Sequence, residues 1–252
     1  MYDADERHPV GPRWSGVGRL RPGLLEIEGP MGSLPRHAHH SVQVAVASEG
    51  AFVIEDERGR RRRTTAAIVP ADQPHAFDAT GAWGVVAHVE PQSSLGTELA
   101  ALVDAPADAG SWQEAGVALT SGHDAYAGGR LRSPGASSAA SLHPGVAAAQ
   151  ARLRTGLDSG PVRLRDVAAA VHLSESRLSH LFAQDLGITF RAYVRWLRLL
   201  RATAAVAEGR SLTDAAHAAG FTDSSHLTRT CRRAFGGPPT AFSTIRWEIV
   251  AT

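Results

Sequence analysis

Two short stretches hold the residue types from which chemistry can be built. In Gly32-Ser-Leu-Pro-Arg-His37-Ala-His39-His40-Ser-Val-Gln43, imidazoles and an amide crowd together. On a strand, side chains alternate, so His37 and His39 share one face while His40 points the other way, towards the surface. The other stretch places Ser224, Ser225, His226, Thr228 and Arg229 near the start of one helix. Small hydroxyls and a guanidinium on one helical face suit hydrogen bonding to base edges, and a bidentate arginine–guanine pair is the commonest specific contact. Arg229 is the outward arginine nearest that helix start.

The elements that must position Arg229 run over residues 211–243. Ser211 and Asp214 have the spacing of a capping box. Leu212, Ala215, Ala216 and Ala219 follow on one helical face, and Gly220 stands where that helix must stop. After Phe221, Thr222 or Asp223 can cap a second helix. Leu227, Cys231, Ala234 and Phe235 form its core stripe, opposite Ser224, Ser225, Thr228, Arg229 and Arg232. A helix–turn–helix with such an outer face is built to enter a major groove.

The pattern occurs once more upstream. An offset of about 48 residues, a period typical of repeated units, sets Leu164 on Leu212, Asp166 on Asp214, Ala168 on Ala216 and Leu173 on Phe221. Beyond the turn the offset grows by one, and Leu178, Phe182, Leu186 and Gly187 match Leu227, Cys231, Phe235 and Gly236. In this first unit Ser174 caps a helix whose outer face shows Ser176, Ser179 and His180, which are weaker readers because none offers a bidentate fork. The spacing predicts a first helix from His143 through Leu157 and a connecting helix over 189–207. At 1.5 Å per residue the connecting helix is near 28 Å, long enough to hold two reading helices about one DNA turn apart. Arg191, Arg195, Arg198 and Arg201 lie along it.

From about Leu142 onward the chain resembles the DNA-binding domain of the AraC/XylS family of bacterial transcription regulators. The resemblance rests on AxxxGFxxxSHLxRxxRxxFGxxPxxF, from Ala216 to Phe242, and on Arg198 and Ala202 in the connecting helix. Three positions depart from it: His172 stands where glycine is common, Cys231 where Phe is usual, and Arg163 where a capping Ser or Thr is usual. The resemblance implies a cytoplasmic regulator on two adjacent major grooves of double-stranded DNA, answering to a small-molecule effector. It also implies RNA polymerase as a partner if the protein activates, and a homodimer formed through a helix over 93–103, where Leu95, Leu99 and Leu102 recur. An arginine at the Arg198 position is structural in that family.

Charge divides the chain in the same place. All 26 basic residues are Arg. From residue 147 onward there are 14 Arg against 8 Asp+Glu, and in the remainder 12 against 17. The formal net charge of +1 thus conceals a basic C-terminal part and an acidic N-terminal part, the asymmetry of a nucleic-acid module joined to something else. A single cysteine excludes an internal disulfide. The first ten residues are acidic without an apolar core, and no long apolar run follows, so neither a signal peptide nor a membrane span is expected.

Short runs at 24–28, 42–48, 51–55, 66–69 and 84–90, separated by Gly, Pro and charged turns, read as strands of a small antiparallel barrel or jelly roll. The charged segment 55–63 reads as a hairpin tip, residues 128–141 as a linker, and 111–126 shows no clear pattern. The histidine stretch, with Gly50 and Pro70-Ala-Asp-Gln-Pro-His75, resembles the two cupin motifs; Gln43 stands where Glu is usual and Asp72 where glycine is. That resemblance brings His75 from a neighbouring strand to His37 and His39. Three imidazoles plus the Gln43 amide oxygen could hold Zn²⁺, Ni²⁺ or Fe²⁺, or could line a metal-free effector pocket.

The expected fold class is α+β and multidomain: a cupin-like sensing domain over 1–127, a linker over 128–141, and an all-α double helix–turn–helix domain over 142–252. The expected function is ligand-responsive transcription regulation. The competing reading, a cupin metalloenzyme with an accessory helical part, lacks a catalytic acid or base beside the histidines and leaves a duplicated helix–turn–helix unexplained.

Overall fold

The computed structural model describes residues 15–132, 142–157 and 162–249. Most of the expected linker, 133–141, lies outside them.

The β-rich half contains β1 (Ser15–Arg21), β2 (Leu24–Pro30), β3 (Ser33–His37), β4 (Val42–Glu49), β5 (Phe52–Asp56) and β6 (Arg61–Thr64). It continues with β7 (Ala66–Val69), β8 (His75–Asp78), β9 (Trp83–Val89), α1 (Ser94–Ala101), α2 (Ala109–Thr120) and the small hairpin β10 (Tyr126–Ala127) and β11 (Arg130–Leu131). The helical half contains α3 (Pro144–Gly156), α4 (Leu164–Ala170), α5 (Glu175–Leu186), α6 (Phe190–Ala207), α7 (Leu212–Ala218) and α8 (Ser224–Phe235). A 3-10 turn at Pro239–Phe242 leads into β12 (Thr244–Ile249).

The strands do not close into a barrel. They form a six-stranded sheet, β12-β1-β2-β9-β4-β7, and a four-stranded sheet, β3-β8-β5-β6, open in the manner of a jelly roll. Val44, Ile68 and Val86 of the first sheet and Phe52, Ile54 and Phe77 of the second belong to one apolar core. Arg61, Arg62 and Arg63 sit on β6, the exposed edge of the smaller sheet, so the charged run is an edge strand as well as a turn. Such charge discourages pairing with another chain.

The stretch without a clear pattern holds α2. Asp108 caps it by accepting from the amides of Gly110 and Ser111, and Trp112, Ala115 and Leu119 are buried along one side. Gly116 interrupts the apolar period for a steric reason: a Cβ there would lie 2.3 Å from the Ala67 nitrogen, so only glycine lets the helix press on β7. The expected linker starts later than residue 128, because Leu131 is buried in β11 and its amide is held by Glu26 at 3.2 Å.

The helical half also is not all-α. β12 pairs in parallel with β1, from Ser15–Thr244 to Leu20–Ile249, and Arg19 joins Glu28 and Glu248, each at 2.9 Å. The two halves meet elsewhere along one seam. Ser94 N–H donates to Gly187 O at 2.7 Å and His40 N–H to Arg233 O at 2.6 Å. Glu90, at the end of β9, accepts from Arg195 and Trp196 of α6. On α1, Leu95 and Leu99 are buried in this chain's own core, so they form no exposed ridge for a second subunit.

Candidate functional site

The reading face is built by caps and packing. In α7, Ser211 Oγ accepts the Asp214 amide at 3.1 Å and donates to the Asp214 carboxylate at 2.6 Å. Asp223 caps α8 by accepting the His226 amide at 2.6 Å. Leu227, Cys231, Ala234 and Phe235 face the core, which turns Ser225 and Arg229 fully outward and leaves Ser224 and Thr228 half-exposed. His226 is turned back onto the turn: its ring stands edge-on to Phe221 with centroids 5.2 Å apart. In the first unit Ser174 caps α5, and Ser176, Ser179 and His180 are exposed.

The connecting helix separates its arginines by role. Arg195 is committed to Glu90, and Arg198 is half-buried against the turn at Gly220. Arg191 is exposed and borders an open basin with Arg163, Arg165 and Ser179. The substituted positions of the helical half behave as their chemistry requires. His172 takes a left-handed φ of 56°, Arg163 gives α4 no side-chain cap, and Cys231 is buried, which pushes its thiol up to about 12.

The second constellation is an imidazole cluster inside the β-rich half. His37 on β3 is the cross-strand partner of His75 on β8. With His39 from the β3–β4 connection, they place one ligand nitrogen each within 4.8 Å of one another. His37 Nδ1 lies 2.8 Å from Pro35 O and His75 Nδ1 2.9 Å from Gln73 O. A carbonyl only accepts, so in the neutral ring each Nδ1 carries the proton and each Nε2 presents a lone pair. Both Nε2 atoms are buried without a hydrogen-bond partner. Gln43 Oε1 lies 2.9 Å from His39 Nε2, and His39 Nδ1 has Ser41 O at 3.2 Å.

Burial pushes His39 down to about 4 and His75 to about 3, and lowers His37 as well. The rings are therefore neutral at physiological pH, the state a metal ligand needs. The orphaned, convergent lone pairs of His37 and His75 fit a divalent first-row cation, and His39 becomes a third ligand when its Nε2 is released from the Gln43 amide oxygen. His40 is only half-exposed, with Nδ1 2.7 Å from Asp72 Oδ2. Asp72, like His172, stands in a glycine's place and takes a left-handed φ, here 63°.

Sequence reasoning missed His88. It lies on β9 opposite Gln43, fully buried, with Ser41 Oγ 3.0 Å from its Nδ1 and its ring 4.7 Å from that of His39. The available signal was a lone imidazole in the apolar run Val85-Val86-Ala87-His88-Val89.

Known proteins match the helical half. Residues 167–244 match the family model of a helix-turn-helix domain. An uncharacterized HTH-type transcriptional regulator of Escherichia coli (strain K12), YpdC, is 34% identical over 84 residues, which is 33% of this chain and 30% of that protein. The chain thus spans under a third of that relative's length. Among solved structures, a transcriptional regulator (AraC-type DNA-binding domain-containing proteins) from Chromobacterium violaceum is 28% identical, with a TM-score of 0.35, over 38% of this chain and 86% of that one. ToxT from Vibrio cholerae is 9% identical, with a TM-score of 0.43, over 86% of this chain and 97% of that one. Residues 167–244 are a helix–turn–helix domain.

Proposed function

We propose that this protein is a sequence-specific DNA-binding transcription regulator whose β-rich half, residues 1–127, is a cupin-type sensor. The observation that carries this reading is the matched helix–turn–helix region with Ser225 and Arg229 standing free on the second reading helix. In this reading Ser224, Ser225, Thr228 and Arg229 read base edges, and Ser176, Ser179 and His180 of the first unit add weaker contacts. Arg163, Arg165 and Arg191 around the basin beside Ser179 suit phosphate oxygens, which fix register and supply salt-dependent affinity. His226, half-exposed and packed edge-on against Phe221, has the smallest share in base reading in this proposal. Both units lie in one chain, and the reading does not depend on a dimer.

The effector site of this reading is the imidazole cluster. His37, His39 and His75, with the Gln43 amide, would hold a divalent cation such as Zn²⁺, Ni²⁺ or Fe²⁺, which when bound cross-links β3, β8 and the β3–β4 connection. Selection of bound fragments from a genomic library by the full chain, followed by competition binding with scrambled DNA, tests the function. Recovery of one shared sequence is expected; binding of scrambled DNA with equal affinity would overturn it.

A further inference from the structure

The imidazole cluster does not lie in isolation within the β-rich half: the end of α8 covers it. Gly236, the left-handed residue that ends α8 at φ 73°, has no side chain to place there. A Cβ on it would lie 2.8 Å from His37 Cδ2, 3.2 Å from His37 Nε2 and 3.3 Å from His39 Cδ2. One turn back, Arg233 O accepts the His40 amide at 2.6 Å. Phe235 stands edge-on to His88 with ring centroids 5.7 Å apart. The last turn of the second reading helix therefore rests on the rings of the cluster and on the backbone between them.

We infer that the cluster signals to DNA through this contact: a divalent first-row cation held by His37, His39 and His75 clamps the C-terminal turn of α8 onto the β-rich half. The inference rests on the reading of that half as a sensor. Three features set the direction. Ligand nitrogens up to 4.8 Å apart must close in to reach a common ion at about 2.0–2.1 Å each, which fixes the His37–Ser41 segment. That segment supplies both the ring under Gly236 and the amide that holds Arg233 O. The end of α8 is also the negative pole of the helix dipole, which a cation beneath it attracts.

Because coupling is reciprocal, loosening the seam elsewhere must weaken the metal. Glu90 and Arg195 join the halves without being among the ligands, so Glu90→Ala is the distal probe. Metal-stripped full chain is titrated with Zn²⁺ and Co²⁺, read by elemental stoichiometry, the cobalt ligand-field spectrum and hydrogen exchange of the amides over 232–237. One ion per chain is expected, with slower exchange over 232–237, both lost in His75→Ala. His37→Gln, at a partly exposed ring, serves as the milder second variant and loses both as well. Glu90→Ala is expected to weaken Zn²⁺ roughly five-fold or more. Stoichiometric metal with unchanged exchange over 232–237, or with unchanged affinity in Glu90→Ala, overturns the inference, and so does the absence of metal binding. Sequence-preferring DNA binding by the same preparations is measured separately, so failure of the metal coupling is distinguishable from failure of the regulator reading.

Discussion

The indole N–H of Trp196 donates to Glu90 Oε2 at 3.0 Å, tying the end of β9 to the middle of the helix that connects the two helix–turn–helix units. Both residues are buried. Arg195 shares the same oxygen, but its side chain is 38% exposed, so water screens much of that pair's contribution. Removing the carboxylate strands the indole N–H. Glu90→Ala should cost about 2 kcal/mol of stability, and Glu90→Gln, which keeps an acceptor, distinctly less. Urea denaturation followed by tryptophan fluorescence separates the two; equal losses would show that the charge, not the hydrogen bond, matters.

Arg229 and Arg191 should fail in different ways. Arg229→Ala should lose roughly 1–3 kcal/mol at the cognate site and relax preference at one base pair. Arg191→Ala should weaken all sequences alike and reduce the salt slope by about one contact. Binding selections and salt titrations on both variants check this, and an unaltered preference in Arg229→Ala would remove it from the reading face.

Among the described residues two that are not glycine hold left-handed backbone, and both sit where the resembled motifs have glycine. His172, at φ 56°, pays a steric cost that glycine would not. His172→Gly should stabilise by up to about 1 kcal/mol, the relief of strain being partly offset by a freer unfolded chain. Asp72→Gly should gain less, because Asp72 also holds His40. The comparison is of denaturation midpoints; a loss in His172→Gly would contradict it.

The buried imidazoles make stability depend on pH. Unfolded, each binds a proton near 6.5, whereas burial holds His39 near 4 and His75 near 3 in the fold, and His88 is lowered as well. Between these values the unfolded chain binds more protons, so stability rises with pH there. Metal-free protein should keep full stability above about pH 7 and lose it progressively as pH falls through 6.5 towards 4. A urea midpoint that stays level over that window would contradict the neutral-ring assignment.

How far these features could be read beforehand follows from where the chain repeats itself. Caps at Ser174, Ser211 and Asp223 and the stripe Leu227–Cys231–Phe235 belong to single helices, so local spacing discloses them. The β-rich half is assembled from strands distant in sequence: β12 lies on β1, and β3 pairs with β8 across the whole β4–β7 segment. No local period reports such pairings. β6 hid behind its arginines, α2 behind Gly110 and Gly116, and His88 behind the valines around it. The shared face of His37 and His39 was legible from strand alternation, and Gln43 and His75 joined them through the cupin resemblance. The helix end that lies on them was not, because nothing near residue 40 refers to residue 236.

Cys231, the single thiol, should be inert in the folded protein. Burial raises it to about 12, so almost no thiolate exists at neutral pH. Iodoacetamide should leave native protein unmodified and label it after urea unfolding, as intact mass would show. Rapid native labelling would mean that the α8 core opens.

The parallel strand at the end of the described chain changes what kind of instrument the pair of reading helices makes. The second unit enters from α6, which Glu90 grips, and leaves into β12, which is laid on β1. The first unit meets the β-rich half at the end of α5, where Gly187 O receives the Ser94 amide. Two units that look like twins in sequence are therefore mounted differently, like a caliper with one jaw held to its frame by a strand and the other by a helix end.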